Sequence, residues 1–150
     1  IRKEIFQGLE NLTKLDLSFN RIKILLDGCF SQLSSLQILD LSFNRVKKIE
    51  RNVFENLDSL RELDLKRIND DSDNDDSYDS DNDGEESEII SFSVLKSLKR
   101  LEKLEKLCFD MNMFENQQEE LKLFFGTNLE IEFYLISDPH WLELEANELN

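Results

Sequence analysis

One seven-residue string, LDLSFNR, stands at Leu15 to Arg21 and again at Leu39 to Arg45, 24 positions later. The repeated string sits in a longer frame. Leu12, Leu15, Leu17, Asn20, Ile22, Leu25, Phe30 and Leu33 recur as Leu36, Leu39, Leu41, Asn44, Val46, Ile49, Phe54 and Leu57. Extended backwards, the frame asks for apolar residues at 1, 6 and 9, where Ile1, Phe6 and Leu9 stand. Extended forwards, it asks for them at 60, 63 and 65, where Leu60, Leu63 and Leu65 stand. A self-similar period of this length restricts the fold to stacked units that cannot bury their apolar faces singly.

The spacing dictates what each unit contributes. The LxL pair alternates with period two, so each unit supplies a short strand whose leucines point inward. Stacking such units side by side gives a parallel sheet with strands about 4.8 Å apart. The Asn three residues after the LxL pair turns the chain off the strand. Its amide both donates and accepts, so it can satisfy buried backbone groups of its own and neighbouring turns. The trailing Phe and Leu fill the side opposite the strands.

The pattern LxxLxLxxNxLxxLxxxxFxxLxx resembles the leucine-rich repeats, in particular the 24-residue "typical" class found in Toll-like receptors, Slit-like proteins and small secreted proteoglycans. The likeness is close over residues 1–65, with Leu26 and Glu50 in place of the usual Pro. It implies an α/β solenoid, with short parallel strands on a concave face and an irregular or helical convex side. It also implies protein–protein recognition without catalysis or cofactor. Because Ile1 falls inside a repeat, the chain is expected to be a fragment of a longer protein.

Downstream the frame loosens. Leu60 to Leu65 gives a strand, but the Asn slot holds Ile68, with Asn69 one residue late. The frame resumes at Leu104, Leu107, Phe109, Asn112 and Phe114, 44 positions after Leu60, so this unit carries about 20 extra residues as an insertion. Leu95, Leu98, Leu101 and Leu104 recur every three residues and predict an amphipathic convex helix. Leu129, Ile131 and Phe133 alternate as a last strand. Asp138-Pro139 opens either a capping helix or, through Leu142, Leu144, Asn147 and Leu149, another unit. The expected organisation is therefore repeats over 1–68 (about three units, the first partial), an acidic disordered insertion over 69–90, a convex helix with further degenerate repeats over 91–137, and a tail or capping helix over 138–150.

The chain carries a net charge of −15, and the insertion explains most of it. Residues 69–88 contain eight Asp, three Glu and no Lys or Arg, giving −11, which leaves −4 for the remainder. Such a run repels itself and cannot build a core. With a pI near 4.4, nucleic acid is disfavoured as a partner. No apolar run is long enough to insert in a membrane. Asp79, Asp81, Asp83 and Gly84 match the front of a calcium loop, but Ile90 stands where the twelfth-position Glu is needed, so weak calcium binding is the most to expect. Ser72 and Ser80 each precede an acid by three residues, a context that acid-directed kinases favour.

Candidate contact residues come from the strand face. The slot between the paired leucines holds Asp16, Asp40, Asp64 and Cys108. The slot two before Asn holds Ser18, Ser42, Lys66 and Asp110, and the slot before Asn holds Phe19, Phe43, Arg67 and Met111. Together they form a stripe of acidic, aromatic and basic groups suited to a protein ligand. Against this stands a plainer role for the Asp and Ser as solvated turn residues and for the Phe as half-packed neighbours. Asn11-Leu12-Thr13 is an N-glycosylation sequon. Cys29, beside Phe30, is expected to be a small buried hydrophobe on the convex side, out of reach of Cys108. His140, the one histidine, has no nucleophile motif near it, and no phosphate-binding or dinucleotide fingerprint occurs. Two settings remain open. One is an extracellular or cell-surface recognition module; the alternative is an intracellular scaffold whose acidic segment engages basic proteins.

Overall fold

A computed structural model of the chain describes residues 1–69, 90–110, 118–126 and 128–134. The acidic insertion with Asp79, Asp81 and Asp83, the residues Met111, Asn112 and Phe114, and the 138–150 tail lie outside the described residues.

Five short strands form one parallel sheet in the order β1, β3, β5, β6, β7. They are β1 (Lys14–Asp16), β3 (Ile38–Asp40), β5 (Glu62–Asp64), β6 (Lys106–Asp110) and β7 (Glu130–Tyr134). Two further strands, β2 (Ile24–Leu25) and β4 (Lys48–Ile49), pair in parallel as a second small sheet after the turn. The register follows the 24-residue frame, with Leu15 opposite Leu39 and Leu39 opposite Leu63. Across the insertion Leu63 still faces Leu107, so the extra residues leave the pairing unbroken. Leu107 then faces Ile131, restoring the 24-residue step. The fold is a parallel sheet of short strands with few helices, as a leucine-rich-repeat solenoid requires.

Inside the sheet, Leu39, Leu41, Leu63, Leu65, Leu107 and Phe109 are buried, while Leu15 and Leu17 on the first strand are only partly covered. That gradient is the expected end effect of a stack in which neighbours supply the core. Each fully buried Leu contributes about 1.5–3 kcal/mol of transfer free energy. On the convex side Phe6, Phe30 and Phe54 form a spine, with ring centroids 5.7 and 6.5 Å apart. Cys29 is buried beside it as a free thiol.

The turn asparagine works as its chemistry suggests. Asn44 is fully buried; its Nδ2 donates to Leu17 O and Leu41 O, both at 2.9 Å, and to Ser42 O at 3.2 Å. Its Oδ1 accepts the Ile22 N–H at 3.1 Å. One side chain thus ties two successive turns. Exposed Asn20 bonds only within its own turn, to Leu17 O and Ser18 O.

The convex helix differs from expectation. Helix α1 is Phe92–Leu98, and Leu101 and Leu104 lie beyond it in turns. Leu101 N–H donates to Leu98 O and Leu104 N–H to Leu101 O. The three-residue leucine spacing is therefore partly that of successive three-residue turns, whose period is three rather than 3.6. The same bond joins Leu12 to Leu9, Leu36 to Leu33 and Leu60 to Leu57, so it is the step by which the chain enters β1, β3, β5 and β6. A second helix, α2 (Gln118–Phe125), was not anticipated and buries Leu121.

Candidate functional site

The strand face brings the middle slot of every unit into one row. Asp16 faces Asp40, Asp40 faces Asp64, Asp64 faces Cys108, and Cys108 faces Glu132. Asp16, Asp40, Asp64 and Cys108 border a depression of about 300 Å3 that runs from Lys14 to Tyr134. Like charges directly opposite one another on neighbouring strands repel, so the carboxylates need local partners.

Those partners are in the turn. Asp16 Oδ1 accepts the Ser18 N–H at 2.9 Å and the Ser18 hydroxyl at 2.7 Å. Asp40 repeats this with Ser42 at 2.8 and 2.6 Å. The Ser18 bonds hold the Asp16 carboxyl below the usual carboxylate range. In the third unit Lys66 replaces Ser: its N–H donates to Asp64 Oδ1 at 2.9 Å, and its ammonium lies 3.4 Å from Oδ2. Burial nevertheless pushes the Asp64 carboxyl up. The aspartate row therefore caps its own turns with one oxygen each.

Immediately after this cap the backbone turns left-handed. Phe19, Phe43 and Arg67 have φ of 52°, 52° and 48°. A non-glycine residue held there costs roughly 1–2 kcal/mol, and glycine or asparagine would sit there more easily. The chain instead places large side chains at these positions and stacks them. The Phe19 and Phe43 rings lie 4.3 Å apart and 7° from parallel. The Arg67 guanidinium covers Phe43 at 5.3 Å, and the Lys66 ammonium lies 5.9 Å from the same ring. Phe19 stays 64% exposed, so one face of the ladder is open to solvent.

At the far end of the row stands a cluster that the sequence reading omitted. Glu132 takes the Lys106 ammonium at 2.8 Å and the Tyr134 hydroxyl at 2.6 Å, and Cys108 Sγ lies 3.6 Å from it. The Lys106 and Tyr134 contacts hold the Glu132 carboxyl below its usual range, and Glu132 in turn raises Lys106. Burial, then Glu132, pushes the Tyr134 phenol upward. Lys66 Nζ sits 5.1 Å over the Tyr134 ring, linking this cluster to the aromatic ladder. The signal was available: adding 24 to Cys108 gives Glu132, and the strand periodicity then puts Tyr134 on the same face.

Of the predicted contact residues, Asp16, Ser18, Phe19, Asp40, Phe43, Asp64, Lys66 and Arg67 are at least partly accessible. Ser42, Cys108 and Asp110 are buried. Ser42 and Asp110 act inside turns, Asp110 Oδ2 accepting the Arg67 N–H at 2.6 Å. Cys108 is covered between Asp64 and Glu132 on the flanking strands, and burial next to those carboxylates pushes its thiol up to about 12. Asn11 is exposed in the turn before β1. Among the described residues no three His, Cys, Asp or Glu are grouped to hold a metal ion.

Residues 1–46 match the leucine rich repeat family. Leucine-rich-repeat domains generally mediate protein–protein interaction and are typically non-catalytic, and no enzyme family is found for the chain. No curated protein matches it. Among the described residues, no helix is long and apolar enough to cross a membrane.

Proposed function

We propose that the concave face binds a protein partner, with the Phe19–Phe43 ladder and its Arg67 and Lys66 caps as the anchoring strip and the carboxylates as a charged border. The observation that carries this reading is the exposed aromatic stack held at strained backbone positions. Left-handed non-glycine residues at several successive turns cost stability, and such strain gathers at binding sites. Exposed aromatic and arginine side chains are also the commonest energetic anchors of protein interfaces. A photo-crosslinking residue at Glu62, on the concave side, should join the chain to a discrete protein partner in its native cell. The same residue at Glu102, in an exposed turn off the strands, should not. Equal crosslinking from both positions would refute the assignment.

The setting favoured is a receptor-like or secreted recognition module, motivated by the exposed Asn11 sequon. A loss of mass on glycosidase treatment of protein from its native source tests that setting; an unmodified Asn11 found only in a cytosolic fraction would contradict it. A second reading rests on the concentration of −11 charge in residues 69–88: an intracellular scaffold whose acidic segment engages basic proteins. Affinity for such a partner should then fall steeply with salt and disappear on deletion of 70–88.

A further inference from the structure

One slot of the concave face changes chemistry along the stack, holding Ser18, then Ser42, then Lys66. In the third unit the Lys66 ammonium lies 3.4 Å from Asp64 Oδ2 and 5.9 Å from the Phe43 ring centroid. Moving back 24 positions, Asp40 stands for Asp64, Phe19 for Phe43 and Ser42 for Lys66. The backbone keeps that equivalence in space. Asp40 faces Asp64 on the next strand, and the Phe19 N–H donates to Ser42 O as the Phe43 N–H does to Lys66 O. The second unit thus presents the same carboxylate and ring, with a serine where the cation stands in the third.

Both groups have capacity to spare. Ser42 bonds Asp40 through Oδ1 alone, and Ser18 bonds Asp16 in the same way. Among the described residues neither Oδ2 has a hydrogen bond or an ion pair. Phe19 stacks on Phe43 and is still 64% exposed. In the depression, Asp16, Asp40 and Glu62 stand at this end with Lys14 as the cation among them, so three carboxylates meet one ammonium. Lys14 acts on Asp16 through its charge but makes no ion pair among the described residues. The other two lysines of the described lining, Lys66 and Lys106, are held by Asp64 and Glu132.

We propose that this point of the concave face captures a lysine or arginine side chain of the protein partner, its cation set against Asp40 Oδ2 and the Phe19 ring as Lys66 is set against Asp64 and Phe43. The ring attracts a cation, the alkyl stem of either residue covers apolar surface, and the carboxylate supplies the opposite charge. An acidic partner segment would meet unpaired carboxylates here and be rejected. The inference rests on the protein-binding reading given above and adds the chemistry that the partner must bring.

The test is amide NMR on the full chain at fixed ionic strength, titrated with the end-capped tripeptide Gly-Lys-Gly and, separately, Gly-Arg-Gly, with the norleucine tripeptide as the uncharged control. Saturable shifts centred on residues 16–20 and 40–44 are expected with at least one cationic peptide and not with norleucine. The tighter of the two identifies the preferred side chain. Asp40→Asn, which keeps an Oδ1 acceptor for Ser42, and Phe19→Leu, at an exposed ring, should each raise Kd about three- to tenfold. Ser42→Lys should fill the site from within and abolish the saturable shifts. Ser34→Lys, which adds the same charge in an exposed turn off the strands, should bind as the parent does. Shifts that never saturate, that spread over the surface, that appear equally with norleucine, or that survive Asp40→Asn and Phe19→Leu would overturn the proposal. The peptides need no natural partner, so such a failure leaves the Glu62 crosslink as a separate measure of the protein-binding reading.

Discussion

Replacing Asn44 with Ala isolates the device that joins one repeat to the next. Asn44 is fully buried and makes four hydrogen bonds to backbone groups. Two of those groups have other partners: Asn20 Nδ2 also donates to Leu17 O, and Phe19 N–H donates to Ser42 O. The substitution therefore strands chiefly the Ile22 N–H and the Leu41 carbonyl. Each buried group left unpaired costs about 1–3 kcal/mol, so a loss of about 2–6 kcal/mol is expected. For a chain of 150 residues, each kcal/mol moves the melting temperature by roughly 2–4 °C. Asn20→Ala provides the internal comparison. That residue is exposed and bonds only within its own turn, so its loss should be under about 1 kcal/mol. Urea denaturation followed by circular dichroism at 222 nm measures both. Equal losses for the two variants would refute the claim that burial and inter-repeat bonding make this asparagine structural.

Further expectations follow from the site. Asp64 has its carboxyl raised by burial, so its contribution to stability is present below the unfolded value of about 4 and lost as pH rises through the folded value. Asp64→Asn should then stabilise relative to the parent at pH 7, with the difference fading in acid. Glu132 is lowered by Lys106 and Tyr134, so the sign reverses: Glu132→Gln should destabilise at pH 7 and cease to do so as pH falls through the lowered folded value. Urea midpoints across pH check both; parallel curves would contradict them. Burial pushes Cys29 up to about 11 and Cys108 up to about 12, so iodoacetamide at pH 8 should label neither until urea is added. Rapid labelling of the folded chain would show that the thiols are not covered. Phe19→Gly should be less destabilising than Phe19→Ala by about 1 kcal/mol, because only glycine relieves the left-handed strain at φ 52°. The opposite order would remove the strain argument.

The solenoid was legible because its signal is a period, and two units of the LDLSFNR frame fix both the strand face and the register. The frame that resumes at Leu104 and Leu107 after 44 positions corresponds to a pairing in the sheet, where Leu107 faces Leu63. Other features escaped because the frame carries no information on them. The limits of α1 were misjudged since a three-residue leucine spacing serves both a helix face and successive turns. Helix α2 has no repeat-phase signal in QEELKLFF. The burial of Cys108 and Asp110 depends on neighbouring strands and turns, which a single unit's pattern does not show. Left-handed φ at Phe19, Phe43 and Arg67 was hidden because residue type there argues against it, and that mismatch is what directs attention to the concave face.

The binding role of that face is tested most directly by the affinity of the crosslinked partner for two variants. One is Phe19→Ala with Phe43→Ala; the other is Leu123→Ala, which alters an 82% exposed side chain on convex helix α2. Loss of an interface anchor costs about 2 kcal/mol or more, so the aromatic double variant should bind at least about thirtyfold more weakly, with Leu123→Ala unchanged. Unaltered affinity in the double variant, or a loss confined to Leu123→Ala, would contradict the account.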